Sequence, residues 1–401
     1  MKPLVKFLLL LLIPFNLFAQ NNVDESGRLK PGFDISALIN TDFIYDIKQM
    51  DPDWIGGFRP SKIPINPGDP GWGTNGHLYF SLRQSTFKFN GYFPTKHKWG
   101  AVHLHFSFDL FGMGVHAGET AFRIRLAYGK WGPFLIGKDW STFIDFHAFP
   151  NNWDWWGPSG MALLPDIMIR YTHNFNKHNR LEVSLELPGS EIDAGQLRQI
   201  DPTLLDFTTK EILPDFVSRY TIHGDWGYIK AAVLLRQLTY VVLSEQMERS
   251  ADHNKFGWAV NLTSKIKMFN RHANLILQAV GGHGYAGYSN DGGVELAPDE
   301  SFHVQVPFQY GFVTAYDYYF NNKWEASVVY SMSNQQNSGG QMDDAFHRSH
   351  YFVTQLIYNV FPKHFSVGLN YEYGMRINKN LASANDQRVI FSARYLFNYN
   401  Q

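Results

Sequence analysis

The sequence predicts an all-β protein: a closed antiparallel transmembrane β-barrel of about 16 strands, with one long loop folded inward as a constriction. Three observations point to it. Runs of about ten residues alternate apolar with polar or small side chains along the chain, the period-2 signature of strands whose two faces meet different media. Tight turns and long connections alternate between those runs. Aromatic content is 16% against 18% charged, with no Cys at all.

The N-terminus sets the compartment. Lys2 and Lys6 precede an apolar run, Phe7–Ile13, and Leu17-Phe18-Ala19 ends in a small residue before Gln20, the layout of a cleaved secretory signal. Pro14 and Asn16 interrupt the run well short of the roughly 20 apolar residues that a spanning helix requires. Residues 1–19 are therefore expected to be a signal peptide, 20–32 a periplasmic linker, and 33–399 the barrel. Without Cys there is no thiolate metal site and no disulfide framework. Formal net charge is −1, or −3 once Lys2 and Lys6 are removed (33 basic against 36 acidic). A near-neutral balance gives no reason to expect nucleic acid as a partner. Mean hydropathy of −0.27 does not fit a helical membrane protein.

Alternation is cleanest at several places. Val102, Leu104, Phe106, Phe108 and Leu110 oppose His103, His105, Ser107 and Asp109. Phe122, Ile124, Leu126 and Tyr128 oppose Arg123, Arg125 and Ala127, and Val389, Phe391, Ala393, Tyr395 and Phe397 oppose Arg388, Ser392 and Arg394. Strands are expected near 33–47, 79–91, 99–111, 121–130, 133–139, 166–175, 180–188, 215–222, 226–237, 255–265, 271–281, 307–319, 324–333, 348–360, 364–376 and 387–398. The pattern blurs in the second, at Arg83-Gln84-Ser85, and in the twelfth, at Val313–Tyr319.

The connections are more telling. Those after even strands are tight, as at Lys130–Gly132, His223–Asp225 and Phe361–Lys363; those after odd strands are mostly long, as at Lys48–Leu78, Ser141–Pro165 and Gly282–Val306. A soluble sandwich has no reason to sort its turns by end, whereas outer-membrane barrels keep short periplasmic turns and long extracellular loops. Ten residues at ~3.3 Å each, tilted ~40°, span about 25 Å, the height of the apolar band. Unpaired backbone groups in lipid force such a sheet to close. The location expected is the outer membrane of a diderm bacterium, with lipid as the surrounding partner.

Sixteen strands leave an aqueous channel where eight would fill with side chains. Something must narrow it. The stretch 141–165 is the candidate, because Trp140, Phe143, Trp153, Trp155 and Trp156 are too aromatic for a solvated loop. They are expected to anchor it to the inner wall. Period-2 alternation places Arg123, Arg125, Arg170, Arg219, Lys230, Arg236, Arg388 and Arg394 on that wall, with Asp109 among the inward acids. Asp139, Asp145 and Asp154 are assigned to the loop side. Basic wall against acidic loop would set up a transverse field favouring anions; the bland alternative is that these charges pair with one another. This stretch is also expected to be the sole long connection folded inward.

Between Arg123 and Gly160 the motifs R-I-R-L-A-Y-G-K-W-G-P-F-L-I-G (Arg123–Gly137), W-S-T-F-I-D (Trp140–Asp145) and W-G-P-S-G (Trp156–Gly160) resemble the DcaP-like family of trimeric outer-membrane porins. Arg83–Ser85, leading into a Phe/Lys alternation, resembles the same family. The resemblance implies a homotrimer of sixteen-stranded barrels that pass small solutes, often organic anions, by diffusion. Departures from the family pattern are a short Gly-containing stretch, Asn21–Lys30, in place of a helical segment; Lys138-Asp139 where an uncharged pair is expected; Thr86 in place of a second basic residue; and an ending in Tyr399-Asn400-Gln401 rather than an aromatic.

Other chemistry is thin. His103 and His105 share a strand face but lack a third ligand, so no metal and no cofactor is expected. The loop tryptophans would suit a sugar-specific porin, the alternative functional reading. An outer-membrane enzyme such as a phospholipase would need a nucleophile set; Ser349-His350 and Ser190–Asp193 offer ingredients without a motif, so no enzymatic activity is expected.

Overall fold

A computed structural model describes residues 31–187, 189–246, 248–301 and 303–400. The expected signal peptide and most of the linker lie outside the described residues.

The first stave of the barrel is β1 (Gly32–Asp46). The second is broken into β2 (His77–Ser81) and β3 (Thr86–Phe93), which pair with the two halves of β1. Then follow β4 (Val102–Phe111), β5 (Thr120–Trp131), β6 (Phe134–Trp140), β7 (Pro165–Asn174) and β8 (Asn179–Glu186). β9 (Leu204–Lys210) is an extension that pairs only with the upper half of β11 (Gly227–Ser244), whose lower half pairs with β10 (Asp215–Gly224). β12 (His253–Met268) and β13 (Ala273–His283) continue the wall, and β14 (Ala297–Pro298) and β15 (Val304–Gln305) form a separate small hairpin. The barrel is completed by β16 (Phe308–Tyr319), β17 (Trp324–Gln335), β18 (Phe346–Phe361), β19 (Phe365–Asn378) and β20 (Ser383–Asn400). β20 pairs back onto β1 from Asp34↔Asn400 to Asp46↔Arg388, closing a ring of sixteen antiparallel staves.

The alternation read from sequence is what this sheet uses. Outward positions such as Ile136, Ile167, Ile169, Ile222, Ile229 and Leu262 are exposed on the barrel surface, an apolar belt that suits lipid or another apolar surface. Aromatics stack along it, with Phe87–Phe108 centroids 4.9 Å and Phe108–Phe122 4.4 Å apart. Many inward positions are polar and buried, among them Asn40, Asp42, Asn261 and Gln278.

The two blurred strands have separate explanations. At Arg83–Ser85 the stave really does break, and Ser85 Oγ takes the Asn40 N–H at 3.1 Å, replacing a ladder bond. At Val313–Tyr319 nothing breaks; β16 is continuous, with Val313, Ala315 and Asp317 buried inside. One clean-looking strand hides an irregularity instead. A bulge shifts the register so that Ser107 faces Leu126 but Phe108 faces Ile124. Beyond the bulge the alternation flips, so Tyr128 faces inward, stacked on His105 at 5.0 Å, and Ala127 faces out.

Stretch 141–164 is not the sole connection that folds inward, contrary to the sequence-based expectation. The first long loop also enters the barrel: Met50, Trp54, Phe58 and Ile63 are buried with Ala148, Met161 and inner-wall Val313, Val329 and Val353. A third contribution comes after β13, where Tyr285 and Tyr288 pack with Phe143 and Ile144. Loop length alone did not separate these from solvent-exposed loops. Their buried aromatics do.

Candidate functional site

The inward loop leaves β6 at Trp140 and is tied to the wall stave by stave. Glu186 on β8 accepts from Ser141 Oγ at 2.5 Å and Thr142 N at 2.8 Å. Phe143 O accepts from Asn261 Nδ2 on β12 at 2.8 Å. Asp145 bridges to Lys230 on β11 and accepts from Thr263 Oγ1 at 2.9 Å. Asn151 N donates to Asp317 on β16 at 3.1 Å, and Trp153 N to Gln355 on β18 at 2.9 Å. Arg394 on β20 donates to Trp153 O at 3.0 Å. Gly160 then passes so close to β16 and β17 that a Cβ would lie 2.0 Å from Met332 O and 2.7 Å from Phe312 O.

Asp154 and Asp291 lace the loops together. Asp154 Oδ1 accepts the Phe58 N–H of the first loop at 2.9 Å, and Oδ2 accepts from Tyr351 Oη at 2.9 Å and Gly157 N at 3.0 Å. Asp291 holds Arg59 Nε and Ser61 N, each at 3.0 Å. Trp156 Nε1 donates to Asn290 O at 2.8 Å and its ring packs edge-on against Trp54 at 4.5 Å.

These ties run from β8 round to β20. On the remaining side, the β3–β6 wall, the loop makes ring contacts instead, Trp156 lying 6.0 Å from Phe111 of β4. The loop turns its acids away from that side: Asp145 and Asp154 are 1% and 2% exposed against the far wall and the first loop. Toward the near wall it presents aromatics. Trp140 stacks flat on Phe146 (4.3 Å, 10°), Phe146 meets Phe149 at 5.8 Å, and the Arg125 guanidinium lies 4.4 Å from Trp155 and 5.3 Å from Trp140. Phe143 and Trp153 point the other way, Phe143 onto Tyr288 at 5.6 Å and Trp153 onto Arg394 at 4.2 Å.

Burial alone would raise the Asp145 carboxyl, but Lys230, Arg219 and Thr263 outweigh it and hold it below the usual range. Asp154 has no such cation in contact; burial dominates over its donors from Phe58, Tyr351 and Gly157, and its carboxyl is raised.

The eight inward basic residues sort into two groups. Arg170 pairs with Asp139, which stands on wall strand β6 and not on the loop as expected; Arg219 pairs with Glu182 at 2.7 Å, Lys230 with Asp145, Arg236 with Asp215 at 3.2 Å and Glu295 at 3.1 Å, and Arg388 with Asp46 at 2.5 Å. Each of those is neutralised and largely buried. Arg394 instead donates to Asn40 Oδ1 at 2.7 Å and Gln84 Oε1 at 3.1 Å. Arg123 and Arg125 share one acid, Asp109, at 2.6 Å and 3.5 Å, and keep 25% and 17% of their side chains exposed. Lys88 on β3 adds a further exposed cation near Arg125. Sequence reasoning did not single out Lys88, although its place between Phe87 and Phe89 carries the same period-2 signal.

The enzyme ingredients do not assemble. Ser349 is buried inside, while His350 bonds outward-facing Tyr330 Oη at 3.0 Å, on the opposite face of β18. Ser190 Oγ donates to Glu211 at 2.5 Å. Among the described residues no cluster of three or more His, Cys, Asp or Glu is arranged to hold a metal; His105 Nδ1 is bonded to Asn90 Oδ1 at 2.7 Å.

A closed sixteen-stave barrel with an apolar belt, a polar interior and loops folded into its lumen defines a transmembrane β-barrel of outer-membrane type. No protein-family model matches the chain, and no curated protein sequence matches it. Solved structures do match. The outer membrane channel DcaP of Acinetobacter baumannii is similar over 94% of this chain and 99% of its own, with a TM-score of 0.77 at 19% identity. An anion-selective porin from Comamonas acidovorans matches over 92% of this chain and all of its own (TM-score 0.56, 8% identity). OmpF of Salmonella typhi matches over 91% of this chain and 97% of its own (TM-score 0.54, 10% identity). The resemblance to DcaP first read between Arg123 and Gly160 therefore extends, as fold, around the whole barrel.

Proposed function

We propose that the protein is a passive outer-membrane channel for small hydrophilic solutes, with 141–165 as its constriction and a preference for small organic anions. One observation carries the preference: Arg123 and Arg125 share a single carboxylate, stay partly exposed, and face a loop whose own acids are turned into the far wall. The sequence-level picture of a field between basic wall and acidic loop gives way to a basic wall facing aromatic rings. A solute crossing beside the contact of Arg125 with Trp155 meets positive charge and π faces together, and an organic anion with an apolar body complements both.

Removing the charge is the test. In planar bilayers Arg123→Gln with Arg125→Gln should shift the reversal potential toward cations. Asp109→Asn is included so that no buried carboxylate is left stranded. An unshifted potential removes these residues from the filter. The stacked Trp140–Phe146 pair also supports the second reading, a sugar path; liposome swelling that is faster for a disaccharide than for an equally large organic anion would favour it.

We further propose a homotrimer, on the family resemblance and on one feature of the wall. β6 has seven residues and β8 eight, against eighteen in β11. Seven residues at ~3.3 Å, tilted ~40°, reach only about 18 Å, short of an apolar band of ~25 Å. Lys138 points outward on β6 beside Ala127 and Ile167. Another subunit, rather than lipid, suits this flank.

A further inference from the structure

On the other side of the loop, a cavity of about 540 Å³ opens beneath it at the end of the barrel that carries the short turns. Its lining includes Arg180, Lys230, Lys265 and Lys267, with His147 and His223, and no carboxylate is among the lining residues. All but His147 stand on inward positions of β8, β10, β11 and β12, so the cavity belongs to the lumen. Its position by the turns after β7, β10 and β12 places it at the periplasmic mouth.

Asp225, on the turn between lining residues Gly224 and Gly227, is exposed at the rim, and the acids on the neighbouring inward positions are engaged. Asp145 is held by Lys230 and Thr263, Glu182 by Arg219, and Asp317 by Asn151 N and Ser327 Oγ. Arg180 reaches only the shared Glu182, at 3.5 Å. Lys265 donates to a backbone oxygen, His147 O, at 3.4 Å, and neither it nor Lys267 forms an ion pair among the described residues. Burial, and after it the charge of Lys230, lower the His147 imidazole below its usual value. Two lysines without an ion pair beside the shared Arg180, in a concave site a few hundred Å³ in volume, suit an anion that carries more than one charge and many acceptor oxygens.

We propose that this vestibule is a binding site for a small multivalent phosphate, of the pyrophosphate or phosphorylated-metabolite class, held at the periplasmic mouth by Lys265, Lys267 and Arg180. It lies across the inward loop from Arg123 and Arg125 and does not depend on the selectivity assigned to them. Bound there, such an anion would sit beneath the Lys230–Asp145 tie and obstruct the periplasmic exit.

The test is a calorimetric titration of the full, folded protein in an uncharged detergent with sodium pyrophosphate. Saturable binding of one pyrophosphate per chain is expected, weakening as salt is raised. Lys265→Gln with Lys267→Gln should lower the affinity about tenfold or more, the scale of lost charge-assisted hydrogen bonds. Lys210→Gln, on the β9 extension where Lys210 pairs with Asp252, should bind as the unaltered protein does. If the double variant does not fold, Lys267→Gln alone serves, with a smaller loss in the same direction. Absence of saturable binding, unchanged affinity in the folded Lys265/Lys267 variants, or an equal loss in Lys210→Gln would overturn the site. Conductance without pyrophosphate binding would refute the site and leave the channel reading intact; binding without conductance would do the reverse.

Discussion

At the scale of single residues, the lumen is held by ion pairs that form across very large sequence distances. Lys230 and Asp145 illustrate the energetics, since both are almost fully buried. Removing one partner of such a pair leaves an unpaired charge at a cost of about 3–5 kcal/mol, whereas replacing both with apolar groups can be close to neutral. Lys230→Met should therefore lower the melting temperature and make single-channel currents noisier, and adding Asp145→Leu should restore much of the loss. The pH dependence follows from the lowered Asp145 carboxyl. A depressed carboxyl stabilises the seated loop fully above its ordinary value and loses that contribution as pH falls through the folded-state value. Current noise should rise on acidification below about pH 4, and this rise should be absent in the Lys230→Met/Asp145→Leu protein. Which way each basic residue points was legible in the sequence, because period 2 fixes it. What it pairs with was not. Arg388 meets Asp46 from 342 positions away, and only barrel closure brings the two together.

At the scale of elements, the inward loop is positioned by its hydrogen bonds to the wall and by one close approach. Gly160 sits against β16 and β17 with no room for a side chain. Gly160→Val should unseat the end of the loop and raise single-channel conductance, with the barrel's β-sheet content by circular dichroism unchanged; an unaltered conductance would mean that the loop does not constrict. The aromatic signal in 138–160 correctly marked an inward loop, since rings of that size find no stable place in water. The same signal in Trp54 and Phe58 was diluted by the Pro- and Gly-rich residues around them, so the first loop was read as external. The bulge at Arg125–Leu126 was invisible for a different reason: an extra residue leaves composition unchanged and shows only in the partner strand's register.

At the scale of the molecule, strand number, turn lengths and the apolar belt are consequences of one constraint, the closure of a sheet in lipid, and that is why the sixteen-stave barrel could be read from sequence, with most strand edges displaced by a few residues and β11 running on past the expected 237 to Ser244. Short staves on the β6–β8 flank carry the proposal of a second subunit there. Amine-reactive cross-linking of the detergent-extracted protein should give a species of three chains, and Lys138→Glu should weaken it; a single-chain product under all conditions would remove the trimer. The central claim is that this barrel conducts along a basic wall facing aromatic rings. The most direct measurement is the reversal potential of the purified protein in a planar bilayer under a potassium chloride gradient. The potential is expected to lie on the chloride side of zero, and a potential on the potassium side, or a membrane that stays non-conducting, would contradict the account.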